Sequence, residues 1–473
     1  MTLTIVLVSI FIAGILGAVA RSRWRLPLLL GISALAVYAF QPALPVRGLD
    51  FWLPTATLAF TVLTWILTTP REQRSWQTNW QAAVILGAIV LTLGLTRFLG
   101  YSLPLTASHP PQVFQILVAL LAVVLSSVLL TRFTKPGKVV LNTAFVFLIL
   151  LFIVLKVPAL SFLVSMGLRS LNHQSTSLAS ALDLRWLGFS YIAFRLLHTI
   201  RDRQSGRLPS VSLSEYTVYV IFFPALAAGP IDRIERFVSD LRRPPLLSAN
   251  DLGEAGKRLV LGLFKKFAVA DGLALIALNA TNSLQVHSAG WGWVLLYAYT
   301  FQIYFDFSGY TDIAIGLGRL LGIILPENFK SPYLKPNLTQ FWNNWHMTLT
   351  QWFRVYFFNP VTRLLRSSRT KMPVPIIIFI TQLMTMVLIG LWHGVTWNFV
   401  LWGSWHGLGL FFHNRWSELT KARFAMLSPH WQKILNVGGT VLTFHFVTIG
   451  WVFFALPSVS SSVHFLQVLF TLR

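Results

Sequence analysis

Two histidines, each beside a tryptophan, are the side chains best suited to chemistry in this sequence. The stretch Phe341-Trp342-Asn343-Asn344-Trp345-His346-Met347-Thr348-Leu349 leads, through one apolar segment, to Leu391-Trp392-His393-Gly394. An imidazole titrates near pH 6.5, so at neutral pH it can take a proton from a hydroxyl and make an alcohol nucleophilic without a covalent enzyme intermediate. His393 ends an apolar run with no Lys or Arg within twenty residues, and ionisable groups at membrane depth usually face a cavity or a partner. His393 is therefore the candidate base and His346 its assistant. His406, thirteen residues on, can face back from an antiparallel helix, and Gly394 permits close approach of backbone or ligand. Trp392, Asn344, Trp345, Asp306 and His406 are the candidate substrate contacts. The competing reading is structural: His393 hydrogen-bonded across helices, and His346 an interfacial residue that keeps its polar edge wet.

Other polar residues read as structural. Asp306 and Asp312 stand six residues apart in Tyr304-Phe305-Asp306-Phe307-Ser308-Gly309-Tyr310-Thr311-Asp312. Helical geometry points them to different faces, which argues against a shared-proton dyad and for pairing with arginines or capping a helix start. Pro326-Glu327-Asn328-Phe329 and Gly229-Pro230-Ile231-Asp232-Arg233 read as turn elements, with Asp232 able to pair with Arg233, Arg236 or Arg195. Several chemistries are disfavoured. Gly403-Ser404-Trp405-His406-Gly407 is not a nucleophile elbow, because its serine directly follows the first glycine. No His-Glu-x-x-His site, Walker loop or dinucleotide fingerprint is present. His198 precedes Asp202 by four positions, one short of the His-x4-Asp acyltransferase pattern. With no cysteine in 473 residues, thiolate nucleophiles and cysteine-ligated metals are excluded, and no metal site is expected.

The elements that position these residues are membrane helices. The chain is 55% hydrophobic and 11% charged with a mean hydropathy of +0.64, a composition that predicts an all-α polytopic membrane protein. About 20 apolar residues span the hydrocarbon. Candidate spans lie near 3–20, 26–43, 51–69, 82–99, 111–131, 139–160, 183–200, 259–280, 292–317, 374–391, 395–412 and 435–456. Residues 161–182 read as an outer loop rich in Ser and Leu. Tyr216 to Gly229, about 14 apolar residues with basic flanks, reads as a re-entrant hairpin buried in protein. Phe341 to Phe358 places Trp342, Trp345, Leu349, Trp352, Phe353 and Tyr356 at mostly three- and four-residue spacings, the pattern of an amphipathic helix lying at the inner interface.

The formal charge is +23, from 38 Lys and Arg against 15 Asp and Glu. These cations cluster between apolar runs, which argues for topology and anionic lipid rather than nucleic acid. The links at Arg21/Arg23/Arg25, Arg71/Arg74 and Arg132/Lys135/Lys138 predict a cytoplasmic side, with the N-terminus outside. The basic stretch Arg319 to Lys371, including Arg369, then falls in the cytosol. Only Arg47, Arg97, Lys156, Arg169, Arg185 and Arg473 fall on the outer side. Leu3 to Ala20 ends in Ala18-Val19-Ala20, which imitates a cleavage site, but Arg21, Arg23 and Arg25 follow it and no cation precedes it. That charge order predicts a retained first helix. The expected organisation is a single integrated membrane domain: N-terminal helices over 1–182, a core over 183–415, and a C-terminal helix and tail over 416–473.

The ordered blocks resemble the membrane-bound O-acyltransferase family, in its bacterial branch with alginate O-acetyltransferase and teichoic-acid D-alanyltransferase, over residues 185–415. Ala228-Gly229-Pro230-Ile231-Asp232-Arg233 is similar to the D-alanyl branch. Tyr304 to Asp312 with Ala314-Ile315-Gly316 is closer to the alginate branch. Pro326 to Phe329, Phe341-Trp342 with Trp345-His346, Trp352-Phe353-Arg354, and Trp392-His393-Gly394 with His406 are shared. The resemblance implies that His393 is the catalytic histidine and His346 the second family histidine. It also implies a ring of about eleven or twelve transmembrane helices, with re-entrant and amphipathic segments, around a central tunnel. Two departures are Asn343-Asn344, where a basic pair often precedes Trp-His, and Asn359-Pro360-Val361-Thr362, where the alginate branch has Gly-Gly-Asn-Arg.

The function expected on this basis is transfer of an acyl group from a cytosolic thioester, acyl-coenzyme A or an acyl carrier protein, to a hydroxyl of an extracytoplasmic glycan or partner protein in a bacterial cytoplasmic membrane. No bound cofactor is expected, and an acceptor or relay protein outside the membrane is an expected partner. Lys330, Lys335, Arg354, Arg363 and Arg366 suit an acidic carrier or nucleotide. Two rivals are a proton-coupled transporter or lipid-linked glycan flippase using the histidines and Asp306 as a relay, and a scaffold subunit with structural histidines.

Overall fold

The computed structural model describes residues 2–19, 23–99, 105–133, 137–243, 248–368 and 372–471. Ala20, Arg21, Lys135, Arg369, Lys371 and Arg473 of the topology argument lie outside the described residues. Those described are helical, with no strand among them. Six helices are long and apolar enough to cross a bilayer, and four shorter apolar ones accompany them. The helix Val113–Phe133 turns Phe114, Leu117, Leu121, Val124 and Leu129 outward, a surface fit for lipid rather than water. These features make the chain an all-α polytopic membrane protein. It divides into two compact units, Met1–Leu259 with Ile313–Pro326, and Val260–Asp312 with Glu327–Arg473.

In the first unit, the buried helix Leu49–Thr68 carries threonines that return their hydroxyls to carbonyls one turn back: Thr55 to Phe51 at 2.9 Å, Thr61 to Thr57 at 2.8 Å and Thr68 to Thr64 at 2.8 Å. That is how polar side chains sit inside an apolar helix without competing for outside partners. The segment expected to be re-entrant is a nine-residue helix, Leu213–Ile221, buried along most of its length. It starts on a capping box in which Ser212 accepts from Glu215 N–H and Glu215 accepts from Ser212 N–H. It stops before Phe222-Phe223-Pro224, where proline removes a donor. The buried Arg195 guanidinium donates to the carbonyls of Val220 at 2.7 Å and Ala225 at 2.8 Å. It thus supplies donors that the broken helix lacks. Arg25, placed by charge pattern in an inner link, is 7% exposed. It donates to the carbonyls of Leu241, Arg243 and Leu321 at 2.9, 2.6 and 2.8 Å.

One expectation here is corrected. The stretch 161–182 is not a plain loop, because Pro158–Leu171 forms a helix with proline in its first turn. Its polar side is satisfied internally: Arg169 Nε and Ser165 Oγ donate to Asp183 at 2.8 and 2.6 Å.

The second unit holds the π-helical segments Phe264–Ala270 and Arg354–Phe358, the helices Val374–His393, Trp397–Ala425, Pro429–Ala455 and Val459–Leu469, and the part of Ala289–Leu320 up to Asp312. Val459–Leu469 extends the fold beyond the expected last helix. The expected interfacial helix over 341–358 is also corrected. It is broken into Leu338–Trp342 and Met347–Phe353, and Phe341, Trp342, Trp345, Leu349 and Phe353 are buried in protein. Their aromatic spacing reflects a core rather than an interface.

Two outcomes follow. Arg195→Met leaves two buried carbonyls without donors, at about 1–3 kcal/mol each, and lowers the thermal midpoint of the purified protein in detergent. The Asp183 carboxyl is raised by burial but lowered further by Arg169 and Ser165, so it lies below its usual range. Its contribution is therefore present above a pH of about 4 and lost as pH falls through the folded value. Asp183→Asn removes that part of the acid-side loss of stability in a pH-resolved melting series.

Candidate active site

The sequence around residue 390 builds a helix hairpin with very little between its backbones. A Cβ placed at Gly390 would lie 2.2 Å from the Phe399 carbonyl oxygen, and one at Gly403 would lie 2.5 Å from that of Met386. Small residues at such contacts let membrane helices approach until dispersion holds them. The hairpin puts His393 at the last position of Val374–His393 and carries Trp402 and His406, one turn apart, on Trp397–Ala425. His393 is half-buried. Its ring lies 4.5 Å from that of Trp392, 5.7 Å from Trp402 and 4.8 Å from Phe454, between centroids.

His346 reaches the same indole from another element. The ring of Trp392 lies 6.1 Å from His346, so one tryptophan stands beside both histidines. Phe307 packs edge-on against the far imidazole at 4.7 Å. The backbone of His346 is left-handed, φ 41°, and begins the helix Met347–Phe353. A non-glycine residue there costs roughly 1–3 kcal/mol and needs surroundings that enforce it. Asn328, fully buried, provides them. Its carbonyl accepts from Met347 N–H at 2.9 Å, and its Oδ1 accepts from Thr348 Oγ1 at 2.6 Å. Lys330 N–H donates to the Asn344 carbonyl at 3.1 Å, closing the other side of the turn. His346 is 3% exposed, and neither ring nitrogen has a hydrogen-bond partner among the described residues. Burial pushes its pKa down to about 3, so the ring is neutral at physiological pH. A neutral imidazole offers one donor and one acceptor to a ligand.

His406 is buried among the rings of Trp342, Trp402, Phe446 and Trp451, and Trp402 also touches the His393 ring. Trp345 is buried against Phe329, Tyr333, Phe341 and Trp451. Asn344 turns its amide onto the Gln340 carbonyl at 2.8 Å, while Asn343 accepts from Arg354 at 2.6 Å. Asp306 takes Lys266 at 2.5 Å, and Asp312 takes Lys265 at 2.6 Å. The expected arginine partners are thus lysines. The approach is possible because Gly309, between the two carboxylates, has no side chain: a Cβ there would lie 2.9 Å from Gly262 O and Lys266 N. The second unit therefore contains every candidate site residue, and Trp392 and Trp402 touch the rings of all three histidines.

Sequence reasoning read Asn328 as a turn residue and gave Phe307 no role, and it missed Lys265 and Lys266. The lysines were detectable, since two cations inside an apolar span need anions and two carboxylates sat in the next one. Among the described residues no group of three or more His, Asp or Glu is placed to hold a metal ion.

Over 269 residues the chain is 36% identical to a probable alginate O-acetylase of Pseudomonas syringae pv. tomato, covering 57% of this chain and 48% of the relative. It is 31% identical over 314 residues to a teichoic acid D-alanyltransferase of Streptococcus thermophilus, covering 62% of this chain and 74% of that protein. It is 34% identical over 258 residues to a peptidoglycan O-acetyltransferase of Helicobacter pylori, covering 54% and 46% respectively. The chain spans about half the length of the alginate O-acetylases it matches. The model of the membrane-bound O-acyltransferase family matches residues 105–459, which include every candidate site residue. With that match over most of its length, the chain belongs to the membrane-bound O-acyltransferase family.

Proposed function

We propose that this protein transfers an acyl group from a cytosolic thioester, carried by coenzyme A or an acyl carrier protein, to a hydroxyl of a cell-surface polymer or of a protein that relays the group outward. The observation that carries the reading is the pair His393 and His346, each with its ring beside that of Trp392, within the family-matched region. In this mechanism His393 accepts the proton of the attacking hydroxyl, which adds to the thioester carbonyl. The tetrahedral intermediate collapses, expelling the thiolate, which takes the proton back from His393 as free thiol. The neutral His346 donates to the developing oxyanion, a role that an N–H without a protein acceptor suits. The exposed Lys330, Arg354, Arg363 and Arg366 favour an acidic donor. The positive-inside pattern puts them in the cytosol of a bacterial cytoplasmic membrane, with the N-terminus outside. The names of the relatives, which act on alginate, teichoic acid and peptidoglycan, support a polymer acceptor.

Replacing His393 with Ala lowers acyl transfer from a labelled thioester by about 10²–10⁴-fold, the usual weight of a general base, while the protein still purifies from the membrane. Retained turnover overturns the assignment. A transporter would instead move solute without consuming thioester, which the same assay reads. Asn328→Ala releases the left-handed turn under His346. Its expected signature is a fall in kcat of about 10²-fold, from misplacement of the ring, with a smaller change in KM for the donor.

A further inference from the structure

Four indoles and one imidazole pack together around residue 406, and their hydrogen bonds divide sharply. Trp405 Nε1 donates to the Phe446 carbonyl at 2.9 Å, and Trp451 Nε1 donates to Tyr333 Oη at 3.2 Å. Trp342 Nε1, Trp402 Nε1 and both nitrogens of His406 are also buried, yet have no hydrogen-bond partner among the described residues. Their side chains are 5%, 1% and 0% exposed. The His406 ring lies 5.1 Å from that of Trp342 and 5.0 Å from that of Trp402. Buried polar atoms are paired in nearly all native structures, so four unpartnered ones in one aromatic box point to a ligand.

We propose that His406, Trp342 and Trp402 form a subsite for a second, non-reacting hydroxyl of the acceptor, so that the enzyme selects sugars and polyols over simple alcohols. This rests on the acyltransferase reading. The donor set identifies the group. The indoles only donate, whereas a neutral imidazole donates at one nitrogen and accepts at the other. A carbonyl oxygen would leave the imidazole acceptor unused. A hydroxyl can accept from an indole and donate to the imidazole. A charged group would be desolvated among the surrounding rings. The subsite stands one indole from the candidate base, because Trp402 touches His393 at 5.7 Å as well as His406. Trp402 thus borders both the candidate base and the subsite.

The test uses the full chain in lipid nanodiscs, with tryptophan fluorescence titrated by glycerol and by 1-propanol, and transfer from acetyl-coenzyme A to each. Wild type responds saturably to glycerol and far less to 1-propanol. His406→Phe weakens the glycerol response by about tenfold or more, as expected when a hydrogen-bonding site loses its partner, and keeps its thermal midpoint, because it removes no protein hydrogen bond. His406→Gln, which retains a donor and an acceptor, restores part of the response. Trp402→Phe removes one N–H with little loss of volume and stands in should His406→Phe fail to fold. The proposal is overturned by a wild type without preference for glycerol, by glycerol binding that none of these variants weakens, or by a fall in midpoint in every variant that accounts for the loss. Wild type that binds glycerol but consumes no thioester instead removes the acyltransferase reading and leaves the hydroxyl subsite standing.

Discussion

The near-contact of two backbones at Gly390 and Gly403 is the constraint on which the site depends. In lipid the hydrophobic effect does not press helices together, so their separation is set by what stands between them. Here nothing does: the carbonyls of Phe399 and Met386 occupy the space that side chains would fill. The result is a fixed register between Val374–His393 and Trp397–Ala425 that delivers His393, Trp402 and His406 together. Because the indoles are thick and rigid, each histidine is held at a set distance from the next without any direct bond between imidazoles.

The first unit solves a different problem. A helix that stops inside an apolar environment exposes carbonyls with no water to meet them. Arg195 and Arg25 answer by turning guanidinium groups onto backbone carbonyls. Five rigid N–H donors reach several carbonyls at once, which a lysine ammonium on a flexible stem does less well. Their positive charge is thereby spread over carbonyl dipoles.

Run lengths of apolar residues made the all-α membrane class legible, but the thirteen-residue spacing did not show which neighbours His406 meets: its ring packs on Trp342, Phe446 and Trp451. Pro158 was a visible break signal at the end of an apolar run, yet the helix after it depends on Asp183, fourteen residues downstream of Arg169, and local periodicity carries no trace of that. The turn at His346 was hidden for the same reason. An aromatic pattern at helical spacing is satisfied equally by a lipid interface and by a packed core, and the choice was made by Asn328, a residue outside the pattern. Lys265 and Lys266 stand in a run that reads as apolar, and hydropathy alone carries no sign of the anions that two cations inside it require.

The π-helical turn at Phe264–Ala270 has a meaning for comparison among relatives. Such a turn accommodates one residue more than a regular one, so it amounts to an insertion absorbed without a loop. The ammonium groups of Lys265 and Lys266 meet Asp306 and Asp312 from within that widened turn. Losing a single residue there would restore ordinary winding and shift the register of the residues within that turn, moving the cations relative to their carboxylates. A one-position gap between aligned homologues at this point is thus a change in ion pairing, not a neutral difference in length.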